Sequence, residues 1–221
     1  MLIYRENYIT TLKSYLDKPI IKVLTGMRRV GKSTILLMLR NELLKNVEEN
    51  NIIWINKESL EFEFINNYES LYKYIKSALQ ANANKKYVFI DEIQEIQNWE
   101  KAVVSVLSEN LADIIITGSN ANLLSSELAT LISGRYIEIP VYPLTFSEYL
   151  LFSKDDNLSK EDNFNKFLRY GGLPGIHLFD EDSNITNYLN SIINTVLLKD
   201  VIKRNSIRDI QLLEKIVYYL M

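Results

Sequence analysis

The sequence is poor in the residues that build metal centres and covalent cross-links. Its 221 residues include no cysteine and a single histidine, His177. The absence of cysteine excludes disulfide bonds and thiolate metal sites. One histidine cannot form a metal site made of several histidines. These classes of site are therefore excluded.

Long apolar runs and a strong excess of one charge are lacking as well. No run approaches the ~18 apolar residues that span a bilayer, and the first ten residues, MLIYRENYIT, lack the pattern of a secretory signal. We therefore expect a cytoplasmic protein with no membrane partner. The net charge of −3 provides no overall attraction for nucleic acid. The basic tract LLKDVIKRNSIRD is interrupted by aspartates, and we interpret it as a solvated helix face, with nucleic-acid contact as the alternative.

What the sequence does contain is a regular alternation of short apolar runs and helical patterns. The segments with helical spacing of apolar residues separate five runs that are typical of buried parallel strands, at 20–25, 51–56, 86–92, 113–120 and 136–144. This alternation predicts an α/β fold with a parallel sheet and helices on both faces. After residue 144 only helical patterns remain. We expect the α/β core to end there and a helical appendage to follow.

Two of only seven glycines fall in the segment LTGMRRVGKSTILL, residues 24–37. Within it, Gly26 to Ser33 match the pattern G-x-x-x-x-G-K-[ST] at every fixed position, between a predicted strand and a predicted amphipathic helix. Such a loop surrounds phosphate oxygens with backbone N–H groups, and its glycines permit the close approach. The positive end of the helix dipole adds to the attraction. The segment therefore predicts a site for the phosphates of a nucleotide.

Two residues of this loop have specific predicted roles. Lys32 is expected to reach the β- and γ-phosphates, and the hydroxyl of Ser33 is expected to bind Mg²⁺. The other nucleotide contacts are assigned to the rest of the loop and the first helical turn: Gly26, Met27, Arg28, Arg29, Val30, Gly31 and Thr34. The two arginines stand at variable positions of the pattern, and for their side chains we prefer a solvated position, with contact to phosphate or to acidic partners as the alternative.

Two adjacent carboxylates bear on whether the site hydrolyses its nucleotide. Asp91 and Glu92 follow the apolar run YVFI, at the C-terminal end of a predicted strand, where open α/β sheets bind their ligands. Asp91 is expected to hold Mg²⁺, and Glu92 to orient and deprotonate the attacking water. The alternative is a solvated strand exit. Because a small-molecule kinase needs no water-activating carboxylate, the pair favours hydrolysis.

The fourth predicted strand ends in the polar sequence Thr117-Gly118-Ser119-Asn120. If this strand neighbours those of the glycine loop and of Asp91, its tip meets the γ-phosphate or the attacking water. We nominate Asn120, and after it Ser119, for that sensing role. An N-cap for the following helix is an equally good interpretation.

Several sequence blocks together resemble a known family. They are GMRRVGKST, FIDEIQEIQNWE, IITGSN, LISGRYIEIPVYPLTFSEYL and YGGLPGI, in this order. The chain resembles a family of prokaryotic AAA+-type ATPases, in which an AAA-like domain precedes a C-terminal domain of uncharacterised function. The resemblance covers most of the chain, and its specificity comes from the blocks after the glycine loop.

The resemblance implies a P-loop NTPase fold, AAA+/ASCE-like, with a five-stranded parallel sheet of order 5-1-4-3-2. It implies an ATPase core over residues 1–144 and a helical lid over 145–205. It further implies ATP with Mg²⁺ as the ligands, the Asp–Glu pair as the Walker B motif, and Asn120 or Ser119 as the sensor.

Arg135 matches a recurrent arginine of this family. An arginine there either stabilises charge on the transferred phosphoryl group, in cis or from a neighbouring subunit, or serves as a structural ion-pair partner. The adenine base is expected between the glycine loop and the start of the appendage. Position alone nominates Tyr4, Arg5 and Tyr8 on one side of the base and Pro143 on the other.

The last segment, residues 206–221, is predicted to begin a further and incomplete domain. It carries an apolar stripe with little left to cover it, formed by Leu212, Leu213, Ile216, Val217 and Leu220. We prefer truncation as the explanation, with cover by the core or by a partner as the alternatives.

The leading hypothesis is a Mg-dependent ATPase whose cycle moves the helical appendage. Its expected partners are ATP, ADP and a macromolecule, most simply a protein, and further copies of the chain are an open option. The rivals are a small-molecule kinase, a DNA-associated ATPase and a nucleotide-dependent scaffold with negligible turnover.

Overall fold

The structure is a computed structural model that describes residues 3–79, 84–118, 134–153 and 158–195, together with the single positions 212, 215, 216 and 219. The chain divides into two compact units, Met1–Tyr142 and Pro143–Met221. The first unit holds a sheet with helices around it, and the regular elements described in the second unit are all helical.

Five strands form one sheet in the first unit: β1 (Ile21–Thr25), β2 (Ile52–Asn56), β3 (Tyr87–Asp91), β4 (Asp113–Thr117) and β5 (Tyr136–Pro140). Their order across the sheet is β2-β3-β4-β1-β5, and every neighbouring pair is parallel. This is the order that the family resemblance implies, read from the other edge, so the predicted fold class is confirmed.

The helices of this unit are α1 (Glu6–Tyr15), α2 (Lys32–Leu43), α3 (Tyr68–Ala78) and α4 (Trp99–Ser108), with short 3-10 turns at Glu49–Asn51, Leu60–Phe62 and Ile93–Glu95. They cover both faces of the sheet. Ile90 and Ile116 pack in one core cluster with Leu71 of α3 and Val103 of α4. Because successive strand residues point to opposite faces, the equally buried Phe89 belongs to the other face, where α2 contacts β3 and β4.

A buried ion pair joins β1 to β4 at the edge of the sheet where the parallel strands begin. The ammonium of Lys22, whose side chain is 0% exposed, pairs with the carboxylate of Asp113. The other oxygen of Asp113 accepts a hydrogen bond of 2.7 Å from the backbone N–H of Asp17. Burial lowers the pKa of Lys22 and raises the pKa of Asp113. Burial therefore disfavours both charges, and their direct contact offsets this cost.

The second unit contains α5 (Phe146–Phe152), α6 (Lys160–Tyr170), α7 (Asp182–Thr195) and a 3-10 turn at Pro174–Leu178. Capping boxes start α5 and α6, in which Thr145 and Ser159 exchange hydrogen bonds with the third residue of each helix. The core of this unit is rich in aromatic side chains, with Tyr149 and Tyr170 buried beside Ile176. Within the residues described, no helix has the length and apolar character to cross a membrane.

Some predictions lie outside the described residues. These are the helical pattern of LLSSELATLISGR as far as residue 133, the basic tract over 197–209, and Leu213, Val217 and Leu220 of the apolar stripe. Two other members of that stripe, Leu212 and Ile216, are exposed. The lid and the further domain stay predictions.

Candidate functional site

The glycine loop begins against the backbone that follows β5. The N–H of Val141 donates a 2.7 Å hydrogen bond to the carbonyl of Thr25, the last residue of β1. Gly26 comes next, with a φ of +144°, and a Cβ atom there would lie 2.3 Å from the carbonyl oxygen of Val141. A side chain at this position would overlap with backbone, so the loop can leave β1 in this direction only because residue 26 is glycine.

The loop ends at the start of α2. Gly31 is the residue before the helix, with a φ of +97° and no side-chain cap. The N–H of Ile35 closes the first turn on the carbonyl of Gly31, at 3.0 Å. The N–H groups of Lys32, Ser33 and Thr34 come earlier and find no acceptor within the helix, as at any helix start. These donors and the helix dipole favour an anion at this place.

The ammonium of Lys32 lies inside the loop that it terminates. It donates to the carbonyl oxygens of Gly26 and Met27, each at 3.1 Å, and the residue is 4% exposed. Burial lowers the pKa of Lys32, while the negative charges of Glu92 and Asp91 act in the opposite direction. The cation is therefore fixed by its own loop and lies within the electrostatic reach of both carboxylates.

Arg5, the residue before α1, holds the loop from behind. Its guanidinium donates to the carbonyl of Val30 at 3.3 Å and to the carbonyl of Tyr142 at 3.1 Å. The ring of Tyr8 lies 4.5 Å beneath the guanidinium, and its hydroxyl accepts a hydrogen bond from the N–H of Tyr142. The sequence nominated Arg5 and Tyr8 for adenine contact. In the structure these polar groups join the loop to the segment after β5.

The two carboxylates lie at the same edge of the sheet as the loop. Because β4 lies between β1 and β3, the carboxyl ends of all three strands are neighbours. Asp91, at the end of β3, is 2% exposed, and its carboxylate accepts a hydrogen bond from the hydroxyl of Thr117 at the end of β4. The same hydroxyl oxygen accepts a 3.0 Å hydrogen bond from the N–H of Glu92. Thr117 therefore fixes both acidic residues from the neighbouring strand.

The predicted contact residues differ in what they can offer a ligand. Ser33 and Thr34 are exposed in the first turn of α2, and Met27 and Arg29 are exposed in the loop. The side chain of Val30 is fully buried in the core, so the expectation of contact at this position holds only for its backbone.

Arg135 requires a correction. It immediately precedes β5, and its carbonyl accepts a hydrogen bond from Ile21, the first residue of β1. The glycine loop follows the last residue of β1, about 13 Å away along a five-residue strand. The suggested action in cis on a phosphate at Lys32 is therefore wrong. A role towards a second chain, or as an ion-pair partner, stays a prediction.

Three further assignments stay predictions as well. Ser119 and Asn120, the sensor candidates, lie outside the described residues. Pro143 is the first residue of the second unit, whereas the glycine loop belongs to the first unit, so its contact with adenine stays a prediction.

The sequence analysis missed two positions of this site. Thr117 stood in the polar strand end without a role of its own, although a hydroxyl beside a strand that ends in two carboxylates is a usable signal. Gln94, two residues after Glu92, donates its side-chain amide to the carboxylate of Glu92. The sequence shows Gln94 two residues after Glu92, but it does not show that the side chain of Gln94 turns back towards the carboxylate of Glu92.

A parallel sheet of this order, with a glycine loop after β1 and an acidic pair after β3, defines a P-loop ATPase of the AAA type. Residues 18–150 match the sequence model of a family described as "AAA domain". The chain belongs to this AAA-domain family.

Relatives and solved structures agree with this assignment. An uncharacterized protein of Haemophilus influenzae is 37% identical over 222 residues, which cover 99% of this chain and 55% of the relative. The uncharacterized protein MJ1544 of Methanocaldococcus jannaschii is 35% identical over 201 residues, covering 86% of this chain and 44% of the relative. The chain thus spans about half the length of these relatives.

Among solved structures, the Walker-type ATPase PABY2304 of Pyrococcus abyssi matches with a TM-score of 0.62 at 17% identity, over 92% of this chain and 77% of that one. Hsp104 of S. cerevisiae, in its complex with casein, matches with a TM-score of 0.53 at 16% identity, over 90% of this chain and 38% of that one. At these identities the likeness establishes the fold alone.

Proposed function

We propose that this chain binds ATP with Mg²⁺ through its glycine loop and hydrolyses the γ-phosphate. The observation that supports this most is the convergence of a buried lysine ammonium with a buried aspartate and an adjacent glutamate at one edge of the sheet. Structural ion pairs also bury charge, but this cation is held by the carbonyls of a glycine loop and stands at a helix start. That setting fits a phosphate ligand.

The residues present also fit the metal. Ser33 offers an exposed hydroxyl at the helix start, and Asp91 offers a carboxylate that Thr117 orients. Mg²⁺ prefers oxygen ligands of this kind and usually keeps several waters when it is bound with nucleotide phosphates. When bound, it would neutralise charge on the β- and γ-phosphates. We assign these two residues, directly or through water, to the metal.

The remaining steps follow from the chain's own groups. The loop N–H groups and Lys32 bind the phosphates and stabilise the charge that develops on them. Glu92 accepts a proton from a water molecule as the water oxygen bonds to the γ-phosphorus. The bond from that phosphorus to the bridging oxygen breaks, and ADP leaves. The kinase rival differs in needing a second substrate to receive the phosphoryl group.

The test is phosphate release by the chain without any added acceptor. We expect Glu92→Gln to lower turnover by about 100-fold or more while ATP binding persists, because only the general base is lost. Lys32→Met should abolish binding. Glu95→Gln, at an exposed glutamate of the following turn, is the matched control and should leave turnover unchanged. Phosphate transfer that requires an added acceptor would support the kinase, and binding without turnover would support the scaffold.

We further propose that the nucleotide state moves the helical unit and, through it, a macromolecular partner. The chain has no cysteine, so cysteines introduced at the exposed positions Ser108 and Asn165 would carry a donor and an acceptor dye selectively. Energy transfer in Glu92→Gln should differ between ATP and ADP. Equal transfer with both nucleotides would contradict the movement, and sedimentation of the same samples would report self-association.

A further inference from the structure

We propose that Gln94 is a positioning residue that orients the carboxylate of Glu92 and the water that this carboxylate holds. The inference rests on the proposed function, because it assigns a helper to the base of that reaction. Its first support is a direct contact, in which Nε2 of Gln94 donates a hydrogen bond to Oε2 of Glu92. The acceptor atom belongs to the group that would take the proton.

The backbone explains why two residues so close in sequence meet in this way. Glu92 adopts a left-handed conformation, with a φ of +56°, which is uncommon for a residue other than glycine. A 3-10 turn, Ile93–Glu95, follows at once, and the side chain of Ile93 is fully buried in the core. The N–H of Glu92 is held by Thr117 on the other side. The sharp turn is thus fixed at both ends, and unusual backbone of this kind concentrates at functional sites.

The second support is the other end of the same amide. Oε1 of Gln94 is buried and has no hydrogen-bond partner in the part of the chain that the structure describes. A buried acceptor without a donor is costly, and such atoms are often explained by catalysis or bound water. A water beside Glu92 has two protons to donate. One proton would point to the carboxylate and the other to this amide oxygen. The lone pairs of the water oxygen would then point away from both side chains.

This arrangement gives each atom of the amide one task. The N–H group holds the carboxylate, and the oxygen orients the water, while Gln94 exchanges no proton itself. A residue with this role affects the rate of the chemical step more than the binding of ATP, because its amide is assigned to the carboxylate and the water and not to the nucleotide.

The test is a double-mutant cycle in the 221-residue chain between Gln94→Leu and Glu92→Gln. In the wild-type background, Gln94→Leu should lower kcat about 10- to 100-fold, as small misplacements of reacting groups do. ATP affinity, measured with a fluorescent ATP analogue, should change by less than about 2-fold. In the Glu92→Gln background the same substitution should change the residual rate by less than about 2-fold, because a helper of Glu92 has nothing left to help.

Two further variants separate positioning from folding. Gln94→Glu keeps the shape but replaces the donor by a like charge, and it should also lower kcat. Gln97→Leu removes a nearby exposed glutamine and should leave kcat unchanged. An unchanged kcat in Gln94→Leu, or an equal loss in both backgrounds, would overturn the inference even where Glu92→Gln stops turnover. Full turnover by Glu92→Gln, or none by the wild type, would instead overturn the proposed function, and this inference with it.

Discussion

The hydroxyl of Thr117 donates a hydrogen bond to the buried carboxylate of Asp91 across neighbouring strands. Its oxygen simultaneously accepts the N–H of Glu92, so one small side chain fixes both members of the acidic pair. An aspartate that is 2% exposed needs such a donor, because a buried polar group without one is costly. The strand order makes this contact possible, because β4 pairs with β3 and carries Thr117 at its end.

We therefore expect Thr117→Val, which keeps the shape and removes the hydroxyl, to lower ATP turnover by about 10-fold or more. It should also lower the free energy of unfolding by about 1–3 kcal/mol, because the donor to Asp91 and the acceptor for Glu92 are both lost. Phosphate release and urea unfolding measure the two effects. Thr117→Ser retains the hydroxyl and should stay close to the wild type. Normal turnover in Thr117→Val would show that the bridge is not needed.

The second prediction concerns the close approach of Gly26 to the backbone of Val141. Alanine at this position would place its Cβ 2.3 Å from the carbonyl oxygen of Val141, at a φ that side chains rarely adopt. We expect Gly26→Ala to weaken ATP binding by at least about 10-fold and to destabilise the fold by about 1–3 kcal/mol, because backbone must move to admit the methyl group. Met27→Ala, at the exposed neighbour, is the control, and equal affinities of the two variants would contradict the close approach.

The third prediction concerns the hydrogen bonds that Arg5 donates to the glycine loop and to Tyr142. Arg5→Met keeps much of the apolar stem but leaves the carbonyls of Val30 and Tyr142 without this donor. We expect the KM for ATP to rise several-fold with a smaller change in kcat, because the loop loses support while the acidic pair keeps its own. Lys18→Met removes an exposed cation near another tyrosine and should be neutral. A fall in kcat at constant KM would argue against a role in the loop.

The sequence was sufficient for the parts of the site that are encoded locally. The glycine spacing around Lys32 and the apolar run before Asp91 each lie within one short segment, and the resemblance implied the strand order that makes them neighbours. Contacts between distant segments were not accessible in this way. The hydrogen bond from Arg5 to Tyr142 joins residues 137 positions apart, and that from Thr117 to Asp91 joins residues 26 apart.

Arg135 shows a different limit. Its match to a family arginine gave the residue type but not its place relative to the loop, which depends on the direction of β5. Once β5 is known to run parallel to β1, the residue must lie at the edge where the strands begin. Gln94 shows a third limit. The left-handed backbone at Glu92 brings the side chain of Gln94 back to the carboxylate of Glu92, and no pattern of residue types indicates such a backbone.

The ion pair of Lys22 and Asp113 makes a prediction about stability alone. Lys22→Met would leave the carboxylate of Asp113 buried without its cation. We expect a loss of about 3–5 kcal/mol in the free energy of unfolding, measured in urea. The double variant Lys22→Met with Asp113→Asn should recover most of this, because the amide oxygen can still accept the N–H of Asp17 and no charge is left. A double variant as unstable as the single one would contradict this explanation.

Asp17 provides the pH-dependent test. Burial raises its pKa, but hydrogen bonds from Lys85 and Tyr87 outweigh that effect, and the pKa of Asp17 is lowered overall. A carboxyl with a lowered folded pKa contributes stability that is present above its ordinary value of about 3.9 and is lost as the pH falls through the folded value.

We therefore expect Asp17→Asn to be less stable than the wild type at neutral pH and to lose less stability on acidification. Asparagine tolerates the left-handed backbone found here, with a φ of +61°, so the substitution removes the charge without adding strain. Urea unfolding at a series of pH values from neutral to about 2 measures the difference between the two slopes. Asp180→Asn, at an exposed aspartate of the helical unit, is the control and should follow the wild type. Parallel curves for the wild type and Asp17→Asn would mean that the contacts with Lys85 and Tyr87 do not stabilise the ionised carboxylate.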